Sequence, residues 1–300
     1  MSRVFASPLH FQQSLDAQLR QEAKRRGRNM ERERQLLVYD RFMVRVTRVF
    51  GQDAAVLKGG LALELRLDRA RSTRDVDLRV LGGPDDALPR LRDAGLTDLG
   101  DYLTYEVRAD PRQPKIQAPG MVYEGRRYMA EAKLAGRRYG NPFGVDVAFA
   151  EPLVESPDTF SSSGLLRFVG IEPEPIRVYP PSTHIAEKLH AYTLPRVGAG
   201  NSRVKDLPDI VLLSTLPGLG AETLGRAIEV TFRHRDTHGV PGSFPGPPGD
   251  WGSEYARIVK TDRLSWPTID DAVAAAREFL NPILRGEARG VWRPETRDWG

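Results

Sequence analysis

Residues 56–80 read VLKGGLALELRLDRARSTRDVDLRV, and this stretch decides the fold class. A short apolar lead reaches Lys58-Gly59-Gly60, a helical run follows with Leu61, Leu63, Leu65 and Leu67, and an alternating segment then spans Thr73 to Val80. Strand, glycine turn, helix and second strand in that order open a mixed α/β unit. Side chains alternate along a strand, so Asp75 and Asp77 share one face, roughly 6.5–7 Å apart along the backbone, while Val76 and Leu78 face a core. Two such carboxylates repel. The repulsion is resolved by a raised pKa, by arginines such as Arg71, Arg74 or Arg79, or by a divalent cation, for which hard oxygen ligands favour Mg²⁺ or Mn²⁺. Gly59 and Gly60 lack Cβ atoms at the mouth of a helix, so backbone N–H groups and the positive helix end can approach a phosphate. A turn accounts for the glycines and a surface ion pair for the aspartates, but neither accounts for both; a phosphate cradle beside a cation, which is a nucleotide site, does.

Upstream, Phe11 to Phe50 has a helical pattern, with Leu15 and Leu19 on one stretch, Leu36, Val38, Phe42, Val46 and Val49 on the next, and a break at Gly27 and Asn29. Downstream, Met121 to Leu134 and Phe143 to Phe149 read as paired strands, and Val145-Asp146-Val147 places Asp146 as a possible third carboxylate on the acidic face. Residues Glu155 to Ser182 turn to Ser, Pro and Glu, the composition of a domain connection. Beyond it helices are expected over Ser182–Leu194, Lys205–Leu216, Ala221–Arg233 and Thr268–Leu280. Ser182 or Thr183 would cap the first, with Glu187 near capping-box distance. Thr237 to Gly252 holds four prolines and five glycines in 16 residues and reads as a long loop. The expected class is therefore α+β. Residues 1–50 form a helical segment, 51–155 a core with a small mixed sheet, 156–181 a linker, and 182–300 a mainly helical C-terminal domain.

Composition narrows the function. The 300 residues contain no cysteine, which excludes a disulfide framework, thiol catalysis and a cysteine zinc site. No apolar run approaches the ~18 residues of a membrane span, and Met1 to Phe11 lacks a charged region followed by an apolar one, so a cytoplasmic location without membrane association is expected. The net charge is +4, and Arg20 to Arg34 carries seven basic and three acidic residues, which is the whole excess. Such a run is either a solvated helix face or a nucleic-acid contact.

Gly-Gly, a helix, Asp-x-Asp on a strand and a later strand aspartate resemble the nucleotidyltransferase superfamily that includes polymerase β. More narrowly, residues 56–80 together with IAEKLHAY (185–192) and VKDLPDI (204–210) resemble the AbiEii family of nucleotidyltransferase toxins, which includes the MenT toxins. The resemblance covers about Val56 to Leu213. It places the first motif on Gly59, Gly60, Asp75 and Asp77, the second on Lys188 and Tyr192, and the third on Asp206 and Asp209. Pro208 interrupts the third motif and is tolerated only in a first helical turn. Lys188 and Tyr192 are four residues apart and share a helix face, so the lysine can reach triphosphate oxygens. Asp206 also suits helix N-capping, which leaves Asp209 for the site.

The resemblance implies transfer of a nucleotide from an NTP to an acceptor hydroxyl. Asp75 and Asp77, with Asp146 as a possible third ligand, would hold metal; Gly59, Gly60, Thr73, Lys188, Tyr192 and, more weakly, Arg71 would bind the nucleotide; Asp209 would orient a substrate group. It also implies a tRNA 3′ end as acceptor and a cognate antitoxin as partner. Arg20 to Arg34, with Arg126, Arg127, Arg137, Arg138, Arg203 and Lys205, would track RNA phosphates. Transfer to a protein or small-molecule hydroxyl, or binding without catalysis, remains open. His234 and His238 have zinc-helix spacing but run into the Gly/Pro-rich loop, Gly218-Leu219-Gly220 lacks a dinucleotide fingerprint, His190 reads as packed, and His184 is a possible phosphate contact.

Overall fold

The break at Gly27 and Asn29 separates two helices for identifiable reasons. Gly27 ends α1 (Pro8–Arg26) in the left-handed conformation, φ 62°, and the Asn29 side chain accepts from the Glu31 N–H to start α2 (Met30–Phe50). The computed structural model describes residues 5–67, 72–112, 115–116, 125–195, 202–249 and 251–300. Arg71 lies outside them. After α2 come β1 (Ala55–Lys58), α3 (Gly59–Arg66), β2 (Asp75–Val80), α4 (Pro84–Leu96), β3 (Leu103–Ala109), β4 (Lys115–Ile116), β5 (Gly125–Leu134), β6 (Arg137–Arg138), β7 (Phe143–Phe149), β8 (Asp158–Ser161) and β9 (Pro175–Val178). The remainder is α5 (Pro181–Thr193), α6 (Asp206–Leu213), α7 (Ala221–Arg235), α8 (Gly252–Asp262), α9 (Ile269–Leu284) and the pair β10 (Trp292–Arg293) and β11 (Asp298–Trp299). The fold is thus mixed α/β, with α4, β3 and α8 additional to the elements expected from pattern.

One mixed sheet runs β3-β5-β7-β2-β1-β9-β8, with β4 and β6 pairing along β5. The central pairs β2–β7 and β1–β9 are parallel, and β1–β2 and β5–β7 are antiparallel. Alternation along β2 buries Val76, Leu78 and Val80 and leaves Asp75, Asp77 and Arg79 on the other face.

The segment 156–181 is not a linker. It carries β8 and β9, Leu57 pairs with Val178, and the Tyr179 N–H donates to the Leu57 carbonyl at 2.8 Å. Its prolines sit where a ladder N–H is not needed: Pro175 opens β9, and Pro180 and Pro181 are the N-cap and first residue of α5. The helix consequently starts before Ser182, whose hydroxyl donates to Glu155 instead of capping. Pro208, in contrast, falls in the first turn of α6 as its presence requires.

Nor are residues 1–50 a separate layer: Phe11, Leu15 and Leu19 of α1 and the apolar side chains of α2 join the sheet in one core. Arg41 and Arg45, one turn apart on α2, are buried there on Asp101, at 2.7 Å for Arg41 Nε and 2.5 Å for Arg45 Nη2. A second core collects α5–α9. Helix α3 is rooted in both, with Leu61 and Ala62 in the first and Leu63 in the second. Its N-terminus opens at the boundary.

Candidate active site

That boundary is a cleft of about 1150 Å³, larger than the roughly 300–1,000 Å³ of a site for one small molecule. Strand register assembles its floor. Asp77 stands opposite Lys58 on β1 and opposite Asp146 on β7, while Asp75 stands opposite Gly144. All three aspartates therefore share one face of the sheet.

Two glycines make room for the two leading carboxylates. Gly59 has φ +64°, and a Cβ there would lie 2.0 Å from Asp77 Oδ2. A Cβ on Gly144 would lie 2.6 Å from Asp75 Oδ1, which accepts the Gly144 N–H at 3.2 Å. Gly59 thus seats Asp77 as well as opening α3 toward a ligand. Gly144 was not expected as a site residue, although a glycine inside an otherwise apolar strand marks close approach of another group.

Asp146 is held differently from Asp75 and Asp77. Arg127, its partner across the β5–β7 ladder, donates to both its oxygens at 2.6 and 2.5 Å. Among the described residues no three carboxylate or imidazole groups are gathered into a ready cation site. Asp75 and Asp77 nonetheless have the chemistry of one: burial pushes Asp77 up to about 6, reinforced by Asp146 and Asp75 and opposed by Lys188 and Lys58. A bound cation would relieve that cost.

The opposite wall is α5 and α6. Lys188 Nζ lies 3.0 Å from Asp206 Oδ1 and 2.8 Å from Asp209 Oδ2. Asp206 lines the cleft; Asp209 is fully buried behind the lysine and does not. Both are buried, and of the pair Asp206 is the one that borders the cleft while Asp209 holds the lysine from behind. Tyr192 is not a cleft residue: its ring stacks on Phe244 at 4.6 Å, meets Trp251 edge-on, and its hydroxyl donates to the Pro245 carbonyl. Four residues advance a helix by about 40° beyond a full turn, and on α5, wedged between cleft and core, that offset sends Lys188 to one side and Tyr192 to the other. Gly59, Gly60 and Thr73 line the cleft. The Thr73 hydroxyl is within 3.4 Å of the Asp75 N–H, and its carbonyl accepts from Arg32 at 2.8 Å.

A network that starts from the cleft-lining residues Lys58, Glu187 and Arg235 and reaches Glu151 and Tyr179 behind them joins the two cores. Lys58 reaches Glu151 and Glu187, at 2.8 Å for Glu187 Oε2; Arg235 reaches Glu151 at 3.1 Å and Glu187 at 3.4 Å; and the Tyr179 hydroxyl donates to Glu187 at 2.8 Å. Burial would raise the Glu187 carboxyl, but Lys58 and Arg235 override it and hold it well below the usual range. Pattern suggested Glu187 as a helix cap, because its cationic partners lie on β1 and α7, far away in sequence.

The basic surface is redistributed too. Within the Arg20 to Arg34 run, Arg25 and Arg26 pair with Glu22, Arg34 with Asp16, and Arg32 with Glu64. Of this run only Asn29, Glu31 and Arg32 border the cleft, which is rimmed more fully by Arg74, Arg203, Lys205 and Arg257. Arg138 pairs with Glu131. His234 and His238 do not share a helix face, since α7 ends at Arg235, and His238 contacts Thr193 and Thr237. No helix among the described residues is long and apolar enough to cross a membrane.

Known proteins give this geometry its context. No curated protein sequence matches the chain. In overall structure it is similar to MenT4, a nucleotidyltransferase toxin from Mycobacterium tuberculosis H37Rv, at 16% identity and a TM-score of 0.51, over 87% of this chain and 99% of that one. JHP933 from Helicobacter pylori is similar at 13% identity and a TM-score of 0.46, over 84% and 94%. The family described as nucleotidyl transferase AbiEii toxin, type IV toxin–antitoxin system, matches residues 41–283, which takes in both walls of the cleft and every motif quoted above. The chain belongs to the AbiEii family of nucleotidyltransferase toxins.

Proposed function

We propose that the chain transfers a nucleotide from an NTP to an RNA hydroxyl, with the tRNA 3′ end as acceptor, and that it does so in the cleft between β2 and α5. One observation carries this reading: paired strand aspartates seated on glycines face a helix N-terminus and a lysine, in a cleft larger than one small ligand needs and rimmed by basic side chains. Asp75 and Asp77 would hold Mg²⁺ or Mn²⁺, which when bound supplies charge neutralisation at the phosphates and activation of the attacking oxygen. The N-terminus of α3 and the Thr73 hydroxyl receive phosphate oxygens. Lys188, anchored from behind by Asp209, exchanges its contact with Asp206 for the triphosphate. The acceptor oxygen bonds to the α-phosphorus as the bond to pyrophosphate breaks, the leaving pyrophosphate taking that bond's electron pair and the hydroxyl proton passing to solvent. Arg74, Arg203, Lys205 and Arg257 fit the phosphates of an RNA end laid across the rim. Family membership supports an antitoxin partner, and action on tRNA would take place in the cytoplasm.

The test is incubation of the protein with total RNA, Mg²⁺ and each α-labelled NTP in turn, beside Asp77→Asn. Label on tRNA that is lost in the variant is the expected result. Label on protein or on a small molecule would move the acceptor, and equal labelling by both proteins would remove Asp77 from the chemistry.

A further inference from the structure

One buried ring on the cleft wall makes no hydrogen bond among the described residues. The His184 ring is 1% exposed and borders the cleft, and neither Nδ1 nor Nε2 has a partner among the described residues. A buried polar group left unpaired is a standing cost to folding, and native proteins keep few of them without a reason. The ring packs edge-on against Tyr179, 6.4 Å between centroids, so its orientation is fixed by packing. Burial and the Lys188 charge keep it far below its ordinary pKa, at about 3, so it presents one N–H donor and one bare nitrogen.

Its position indicates what the donor is for. The ring lies near the positive end of α5, one turn before Lys188 on the same helix. Lys58 stands opposite Asp77 across the β1–β2 ladder, and Lys188 follows His184 by one turn of α5, so the imidazole borders the cleft on the wall that carries Lys188 and not on the strand face of the aspartates, where the α-phosphate would react. A group reaching His184 past those ammoniums and a helix N-terminus is anionic and accepts a hydrogen bond.

We propose that His184 binds the triphosphate directly, donating to an oxygen of the β,γ portion that leaves as pyrophosphate. This rests on the reading of the cleft as an NTP site.

The experiment uses the intact protein with Mg²⁺. Calorimetry gives the affinities of NTP, pyrophosphate and the corresponding NMP, and imidazole ¹⁵N resonances are followed as pyrophosphate is added. His184→Leu removes both nitrogens at similar volume; His184→Gln retains a donor. In the parent, the His184 resonance shifts and saturates with pyrophosphate binding. His184→Leu melts no lower than the parent, because an unpaired polar group is gone, and binds pyrophosphate and NTP about ten- to a hundredfold more weakly, with NMP affinity unchanged. His184→Gln recovers most of the loss. Pyrophosphate binding with no movement of the His184 resonance, or unchanged affinity in His184→Leu, overturns this assignment alone. Failure of the parent to bind NTP or pyrophosphate overturns the nucleotide reading with it.

Discussion

The two glycines that seat the aspartates allow backbone strain and displacement of an acid to be measured separately. Gly136, in the turn between β5 and β6, has φ +73° with nothing within 4 Å of a built Cβ; Gly144 meets Asp75 Oδ1 at 2.6 Å without a positive φ; Gly59 combines φ +64° with a 2.0 Å contact to Asp77. Alanine in the left-handed region costs about 1–2 kcal/mol. Gly136→Ala should therefore lower stability by that amount and leave the rate at the parent value. Real Cβ contacts below 3.0 Å essentially never occur, so Gly59→Ala forces Asp77 or the α3 turn to retreat by at least 1 Å, and Gly144→Ala forces a retreat of at least 0.4 Å at Asp75. β2 is hydrogen-bonded to β1 and β7 along its length, so the strand cannot yield and the side chain must. Misplacement of a reacting group by ~1 Å costs on the order of 10²-fold in rate. The expected order in labelled-nucleotide incorporation is parent and Gly136→Ala together, Gly144→Ala lower, and Gly59→Ala lowest by about a hundredfold. Thermal melts should place Gly59→Ala below Gly136→Ala, because displacement of the Asp77 side chain adds to the shared backbone cost. If Gly59→Ala loses no more activity than Gly136→Ala, the contact with Asp77 has no bearing on the reaction and the argument fails.

Lys188→Met removes the ammonium that the buried Asp206 and Asp209 share, a loss of about 3–5 kcal/mol in urea unfolding; adding Asp209→Leu should restore part of it, and a single variant as stable as the parent would deny the lysine its structural anchor. Asp40 accepts the Ser163 N–H through Oδ1 at 2.7 Å while Oδ2 is buried without a hydrogen-bond partner among the described residues, and burial pushes its carboxyl up to about 6. Its folded pKa is above the unfolded value, so its charge weakens the fold as pH rises from about 4 to 6. Asp40→Asn should raise Tm at pH 8 and leave it unchanged near pH 3, and a uniform shift at both would refute the titration. Charge reversal at Lys205 and Arg257 should weaken RNA labelling and flatten its salt dependence by about one unit of slope per lost phosphate contact, with NTP affinity retained. Reversal at Arg25 and Arg26, which do not border the cleft, should do less, and the opposite ranking would place RNA on the α1–α2 turn.

What could be read from sequence and what could not divide along the range of the interaction. Asp75 and Asp77 were legible because alternation is local: Val76 and Leu78 must face the core, and that fixes the acids opposite them. Gly27, Asn29 and Pro208 were legible for the same reason, each acting within one turn of its own helix. The segment 156–181 was misread because proline content reports what a residue cannot donate, not what pairs with its neighbours; Val178 completes the sheet through Leu57, 121 positions away. Asp146 was placed on the right face by alternation, but its capture by Arg127 depends on the β5–β7 register, which no local pattern states. The failure at Tyr192 is the most instructive, because there the helical period was applied correctly. Residues four apart share a face only when one surface meets the helix there, whereas α5 divides a polar cleft from an apolar core, and the helical offset between Lys188 and Tyr192 is enough to put ammonium and phenol ring in different solvents. For a helix at such a boundary the chemistry of the side chain, and not its angular position alone, selects the side it faces, so motif positions carried over by spacing need a burial test before they are given a role.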